Sequence, residues 1–233
     1  MLSVQGLKAG YDESMVLHDV NFTVAPGKIT GILGRNGVGK TTFLKSVMGL
    51  VPLKSGEIKW NQQVISKLSP EKRASLGISY VPQGREIFSS LSVEENLYLG
   101  AEVLPRKYRK NLHFDDIFKW FPILKEMLHR KGGDLSGGQQ QQLAIARALI
   151  GEPKILLLDE PMEGIQPSIV QLIQEVIESI AKEKGIGIVL VEHDVDLTLQ
   201  CADYLYVMDR GTMVKEGLVE NISLGDIERY LVV

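Results

Sequence analysis

Gly34-Arg35-Asn36-Gly37-Val38-Gly39-Lys40-Thr41 fits the spacing G-x-x-x-x-G-K-[ST]. Residues of these types in this order can cradle phosphates. Glycines let successive backbone N–H groups turn onto phosphate oxygens, where a Cβ would block the approach. The Lys40 ammonium can reach β- and γ-phosphates, and the Thr41 hydroxyl can hold Mg²⁺. Thr42 then opens a helix whose N-terminal dipole favours anions. A second candidate is the apolar run Ile155 to Leu158, which ends in Asp159 and Glu160. Asp159 can fix Mg²⁺, and Glu160 is then placed to polarise an attacking water. Such roles are positional, because phosphoryl transfer depends on orientation and electrostatics. The third is Leu135-Ser136-Gly137-Gly138-Gln139. Ser136 can cap a helix and donate to a phosphate, and the two glycines expose backbone amides. Alone, this is an ordinary capped helix start. Beside a complete phosphate loop, it suggests that two copies share a nucleotide.

Elements of suitable kinds flank each motif. Lys28 to Leu33 reads as a short buried strand before the loop, and Thr42 to Met48 as the helix after it. Leu2 to Leu7 and Val20 to Val24 alternate like antiparallel strands with one wet face. Pro26-Gly27 marks a turn, Gly56 to Asn61 resumes the strand pattern, and Ile78 to Val81 is a buried strand ended by Pro82. From Gly84 to about Ile150 the pattern is helical. Ser92 with Glu95 resembles a capping box, Leu112 to Lys125 is broken by Pro122, and Gln139 to Leu149 is a strong helix. Lys154 to Leu158 and Gly187 to Val191 read as buried parallel strands, with helices over Ser168 to Lys182 and Val195 to Cys201. Tyr204 to Met208 and Thr212 to Glu216 form an expected hairpin around Asp209-Arg210-Gly211. The alternation implies an α/β fold with a mainly parallel sheet covered on both faces.

Composition narrows the function classes. The chain has 233 residues, 44% hydrophobic and 24% charged, enough for one large domain or a core with a subdomain. A net charge of −3 provides no footprint for non-specific nucleic-acid binding. The single cysteine, Cys201, rules out an internal disulfide and reads as a small core residue. No apolar run approaches the length of a membrane span, and the N-terminus lacks the order of a signal peptide. A soluble, cytoplasmic chain is expected, with any membrane role exerted through a partner.

With these motifs in order, the chain resembles the ATP-binding cassette family, the ATPase subunits of ABC transporters. The resemblance covers essentially the whole length. It implies a P-loop NTPase (RecA-like) core with an antiparallel β subdomain and an inserted helical subdomain. The expected core is residues 1–83 and 151–233, and the helical subdomain, with the signature, is 84–150. Tyr11 matches the aromatic that stacks on adenine; by itself it is a strand aromatic. Gln83 matches the glutamine that touches Mg²⁺ and the attacking water; by itself it is a turn residue after Pro82. His193 matches the switch histidine on the γ-phosphate; by itself it is a helix cap. Leu135 to Gln139 match the signature that contacts the γ-phosphate across a head-to-tail dimer. ATP and Mg²⁺ are thus the implied ligands, and Glu160, His193 and Gln83 the implied catalytic set. Metal contacts fall to Thr41, Gln83 and Asp159.

The resemblance also implies partners: integral membrane permease subunits, a second ATPase subunit and, indirectly, a periplasmic or extracellular solute-binding protein. The chain would then sit peripherally on the cytoplasmic face of the membrane. A surface helix around Glu86 to Leu99 is the expected docking face. In the loop after Pro161, Gln166 stands where the family commonly has Asp, so that loop's Asp-dependent contacts are not expected. The chain ends soon after its last hairpin, so the regulatory domain of sugar-importer cassettes is not expected. The pattern resembles the ATPases of branched-chain amino-acid importers. Gly34 to Lys40, Gly132 to Gln142 and Glu163 to Ser168 resemble the urea-importer ATPase of that group, although the switch position there is often Gln. A DNA-repair or translation ATPase is the alternative outside transport; those carry long insertions or paired cassettes, and this chain has neither.

Overall fold

A computed structural model describes residues 1–109 and 112–231. In chain order the elements are β1 (Leu2–Tyr11), β2 (Ser14–Val24), β3 (Ile29–Leu33), α1 (Lys40–Met48), β4 (Leu53–Trp60), β5 (Gln63–Val64), α2 (Pro70–Ser75) and β6 (Ile78–Val81). Helices α3 (Val93–Gly100), α4 (Arg106–Arg109), α5 (Asp115–Trp120), α6 (Pro122–Glu126) and α7 (Gly137–Ile150) follow. The remainder is β7 (Ile155–Asp159), α8 (Pro167–Lys184), β8 (Gly187–Glu192), α9 (Val195–Cys201), β9 (Tyr204–Asp209), β10 (Thr212–Leu218) and α10 (Leu224–Leu231).

The strands form two sheets. One is antiparallel, in the order β2-β1-β4-β5. The other runs β10-β9-β3-β8-β7-β6, parallel throughout except for the β9–β10 hairpin at its edge. Side chains on a strand alternate between faces, and the cores obey that period. Ile155 and Leu157 of β7, with Val189 and Val191 of β8, pack beside Phe22, Phe43 and the antiparallel sheet. Leu156, Leu158, Ile188 and Leu190 face the other way, onto Leu97, Phe121, Leu143 and Ile177. The parallel sheet is therefore covered on both faces, which is why its central strands read as unbroken apolar runs. Among the described residues, the chain between β6 and β7 carries helices and no strand, and its apolar side chains share one core with the sheet. The expected spans of that helical unit and of the core include 110–111 and 232–233, which lie outside the described residues.

One expectation is corrected. The sequence predicts a surface helix around Glu86 to Leu99, but the helix begins at Val93, behind the Ser92–Glu95 capping box. Gly84, Arg85 and Glu86 have φ of +83°, +72° and +45°. Three consecutive left-handed residues cannot continue a right-handed helix.

The sequence reading missed α2, and with it the support of α1. Arg73 is only 1% exposed. Its guanidinium donates to the carbonyls of Ser46 (2.8 Å) and Val47 (2.7 Å) in the last turn of α1, and to Ser66 (2.8 Å) and Leu68 (3.0 Å). Helix-end carbonyls lack intrahelical partners and carry partial negative charge, so a cation there satisfies both needs. Arg73→Met leaves these carbonyls unpaired and is expected to cost about 3 kcal/mol. Thermal unfolding should show a melting temperature lower by about 6–12 °C.

Candidate active site

The expected phosphate loop, residues 34–41, leaves the carboxyl end of β3, between β8 and β9, where open α/β sheets bind ligands. Its glycines serve different needs. A Cβ on Gly34 would lie 2.5 Å from the Met208 carbonyl oxygen of β9, so only glycine fits. Gly39 caps α1 at φ +113°, and Gly37 lies open, with nothing within 4 Å of where its Cβ would be. The Val38 carbonyl accepts from the Gly211 amide (2.8 Å), pinning the loop to the β9–β10 turn. Arg35 and Asn36 form the crest; the Arg35 Nε is buried with no hydrogen-bond partner. Thr42 is buried in the first turn of α1, where its carbonyl accepts from Ser46. Lys40, 5% exposed, folds back over the loop and donates to the carbonyls of Gly34 (2.7 Å) and Arg35 (3.1 Å).

Strand parity brings the carboxylates in. Asp159 continues the Ile155–Leu157 face of β7 and so points toward α1 and β6. There it accepts from the Thr41 hydroxyl (3.2 Å) and from the Tyr80 hydroxyl (3.0 Å). Burial raises the Asp159 carboxyl above its ordinary range, against the pull of those two hydrogen bonds. Glu160 leaves the strand at φ +48°, with its amide donating to the Val191 carbonyl (2.9 Å). Its side chain is 7% exposed and central. Oε1 lies 3.4 Å from the Lys40 ammonium, while Oε2 accepts from Gln83 Nε2 (2.9 Å) and lies 4.0 Å from His193 Nδ1. Gln83 also donates to Glu163 (2.9 Å). His193 follows β8 directly but does not cap the next helix: Asp194 does, accepting from the Leu197 amide (3.0 Å). The loop, both carboxylates, the glutamine and the histidine thus meet at one end of the sheet.

Leu135 to Gln139 lie elsewhere. Ser136 and Gln139 form a complete capping box at the start of α7, and Leu135 is buried beneath it. Ser136, Gly137, Gly138 and Gln139 line a cavity of about 750 Å³ with Gly164, Ile165 and Gln166, and no phosphate-loop residue reaches it. Gln166 occupies the position before α8, where an Asp would cap the helix, yet its side chain makes no cap bond. Tyr11, at the end of β1 and 46% exposed, lines another cavity with Lys45, Tyr80 and Arg147, again without residues 34–42.

A protein-family model described as ABC transporter matches residues 17–163. The chain belongs to the ABC transporter family. The cassette is 39% identical over 214 residues to BraG of Pseudomonas aeruginosa, a high-affinity branched-chain amino acid transport ATP-binding protein, covering 92% of this chain and 91% of BraG. It is 36% identical to LptB of Escherichia coli K12, a lipopolysaccharide export system ATP-binding protein, over 93% and 90% of the two chains. MJ1267, an ATP-binding cassette of an ABC transporter solved in its ADP conformation, superposes with a TM-score of 0.84. It does so at 28% identity over 100% of this chain and 99% of its own. The cassette has the α/β fold of these ATPases, and it is an ATPase. No helix among the described residues is long and apolar enough to cross a membrane.

Several side chains of the cassette's site went unread in the sequence. In the sequence Tyr80 reads only as part of a buried strand, although a polar tip inside such a strand is the available signal. Glu163 reads only as the start of the loop segment Glu163 to Ser168, and Arg85 carries no motif; a Cβ on Gly137 would lie 3.0 Å from the Arg85 guanidinium, so Arg85 packs on the start of α7. Glu192 ends an apolar strand just as Asp159 does, and that pattern could have found it. It is 1% exposed and accepts from the Met162 amide (3.1 Å), joining β8 to the loop after Pro161.

Burial pushes the Glu192 carboxyl up to about 7 from an ordinary 4.5, and the charge of Glu160 adds to this. The folded chain therefore keeps a proton that the unfolded chain releases. That stabilisation is complete below pH 4.5 and is lost as pH rises through about 7. Glu192→Gln keeps an acceptor for Met162 and has no proton to lose. Denaturant unfolding of the variant should escape about 2–3 kcal/mol of the stability loss that the wild type suffers between about pH 5 and 8.

Proposed function

We propose that this cassette is the ATP-hydrolysing subunit of a membrane importer whose solute is urea. The observation that carries the enzymatic part is the meeting of Lys40, Thr41, Asp159, Glu160, Gln83 and His193 at one sheet end. The backbone amides of residues 34–42 and the Lys40 ammonium hold the phosphates, and Tyr11 stacks on adenine. The donor set near Thr41 suits Mg²⁺: it is made of hard oxygens, one of them a carboxylate, as an ion shared with substrate phosphates requires. Thr41, Asp159 and the Gln83 carbonyl oxygen would hold that ion, which would neutralise charge on the phosphates. Glu160 orients the attacking water and takes its proton, and His193 contacts the γ-phosphate.

Ser136 to Gln139 line a cavity that residues 34–42 of the same chain do not reach. A second ATPase subunit must therefore supply Leu135 to Gln139 to the nucleotide, with Ser136 and the α7 N-terminus facing its γ-phosphate. Residues 84–150 act as the helical subdomain and the remainder as the core. Closure of the two subunits on ATP moves permease subunits that bind this chain at the cytoplasmic face of the membrane. A periplasmic or extracellular binding protein delivers the solute. A transport role is supported by the likeness to BraG, a branched-chain amino acid transport ATP-binding protein. Urea is supported by the segments Gly34 to Lys40, Gly132 to Gln142 and Glu163 to Ser168. The likeness to BraG also favours a second reading, branched-chain amino-acid import.

Uptake of labelled urea and labelled leucine, in cells with and without this chain, tests the proposal. Selective loss of urea uptake is expected. Selective loss of leucine uptake would establish the second reading, and loss of neither would overturn both solute readings and leave the ATPase assignment standing.

A further inference from the structure

We infer that Glu163 is a positioning residue for the Gln83 carboxamide. The inference rests on the roles proposed above for Gln83 and Glu160. Gln83 Nε2 donates at 2.9 Å to Glu160 and at 2.9 Å to Glu163, so both N–H groups of a primary amide are engaged. Carboxylates only accept, so this pair of acceptors determines which end of the carboxamide faces Glu160. The amide oxygen is left for a cation or water. Gln83 has little else to hold it: its side chain is exposed and it lies outside any helix or strand, with left-handed Gly84, Arg85 and Glu86 directly after it.

Glu163 is well placed to do this. Its own amide donates to the Glu160 carbonyl (3.3 Å), so a tight turn keeps the two carboxylates in register. Gln83 thereby bridges the segment after β6 to the loop after Pro161. One oxygen of Glu160 is held by that bridge while the other faces Lys40. Orientation of the base matters to the rate and little to nucleotide affinity, so the effect falls on kcat.

Steady-state ATPase kinetics of the full chain test this. Glu163→Ala is expected to lower kcat about five- to tenfold and leave KM for MgATP within about twofold. Glu163→Gln, which still accepts through its carbonyl oxygen, should restore kcat to within about twofold. In a Gln83→Ala background, adding Glu163→Ala should change kcat by less than about twofold, because nothing remains to be positioned. Wild-type kcat for Glu163→Ala overturns the inference. So does an equal loss in both backgrounds, which a merely structural role would produce. The catalytic reading fails separately: an active Glu160→Gln removes it, whereas an inactive Glu160→Gln beside an unaffected Glu163→Ala removes only the role of Glu163.

Discussion

Glu160→Gln is expected to bind ATP, accumulate a closed dimer and turn over about 10²–10⁴-fold more slowly, the range a general base supplies. The substitution keeps the shape of a side chain that is almost fully enclosed and changes only its ability to take a proton. The enclosure explains the size of the effect. Lys40, Gln83 and His193 lie against the same carboxylate, and Asp159, the other carboxylate at this strand end, is already engaged by Thr41 and Tyr80. Nucleotide binding and single-turnover hydrolysis, measured on the same preparation, separate affinity from chemistry. Normal turnover by the variant would remove Glu160 from the catalytic role.

Lys40→Ala should lose nucleotide binding by about 100-fold or more, since hydrogen bonds between charged partners contribute about 1.5–3 kcal/mol each. The lysine also has a task without nucleotide. It satisfies the carbonyls of Gly34 and Arg35 and sits beside Glu160. Its removal leaves a buried carboxylate without its nearest cation, so some loss of stability accompanies the loss of binding. Calorimetric titration with MgATP, read beside the melting temperature, distinguishes the two. Unchanged ATP affinity in a folded variant sinks the assignment of residues 34–42 as the phosphate loop.

The contrast between Asp159 and Glu163 shows what a sequence can carry. Asp159 was legible because an apolar run ending in carboxylates has one favourable arrangement, a buried strand whose polar end reaches solvent or ligand. The same logic made the glycine-rich loop after β3, the parallel strands, the Ser92 and Ser136 caps and the break at Pro122 legible: each is a local preference of a few adjacent residues. Helix α2 escaped because its stability comes from Arg73 reaching carbonyls 26 and 27 residues away. The missing helix turn after Glu86 depends on left-handed backbone at Arg85 and Glu86, types that carry no signal for it.

By itself, then, the sequence determined the element order, the two kinds of sheet and the chemistry available at residues 34–42, 135–139 and 159–160. Period, capping and glycine spacing act over a few residues and leave their mark in composition. Only the tertiary structure decided the juxtapositions: that strand parity turns Asp159 onto Thr41 and Tyr80, that Gln83 bridges Glu160 to Glu163, and that Ser136 to Gln139 open into a cavity that residues 34–42 do not reach. These depend on strand order and on the faces that each core selects, which are properties of the packed chain and of no segment within it.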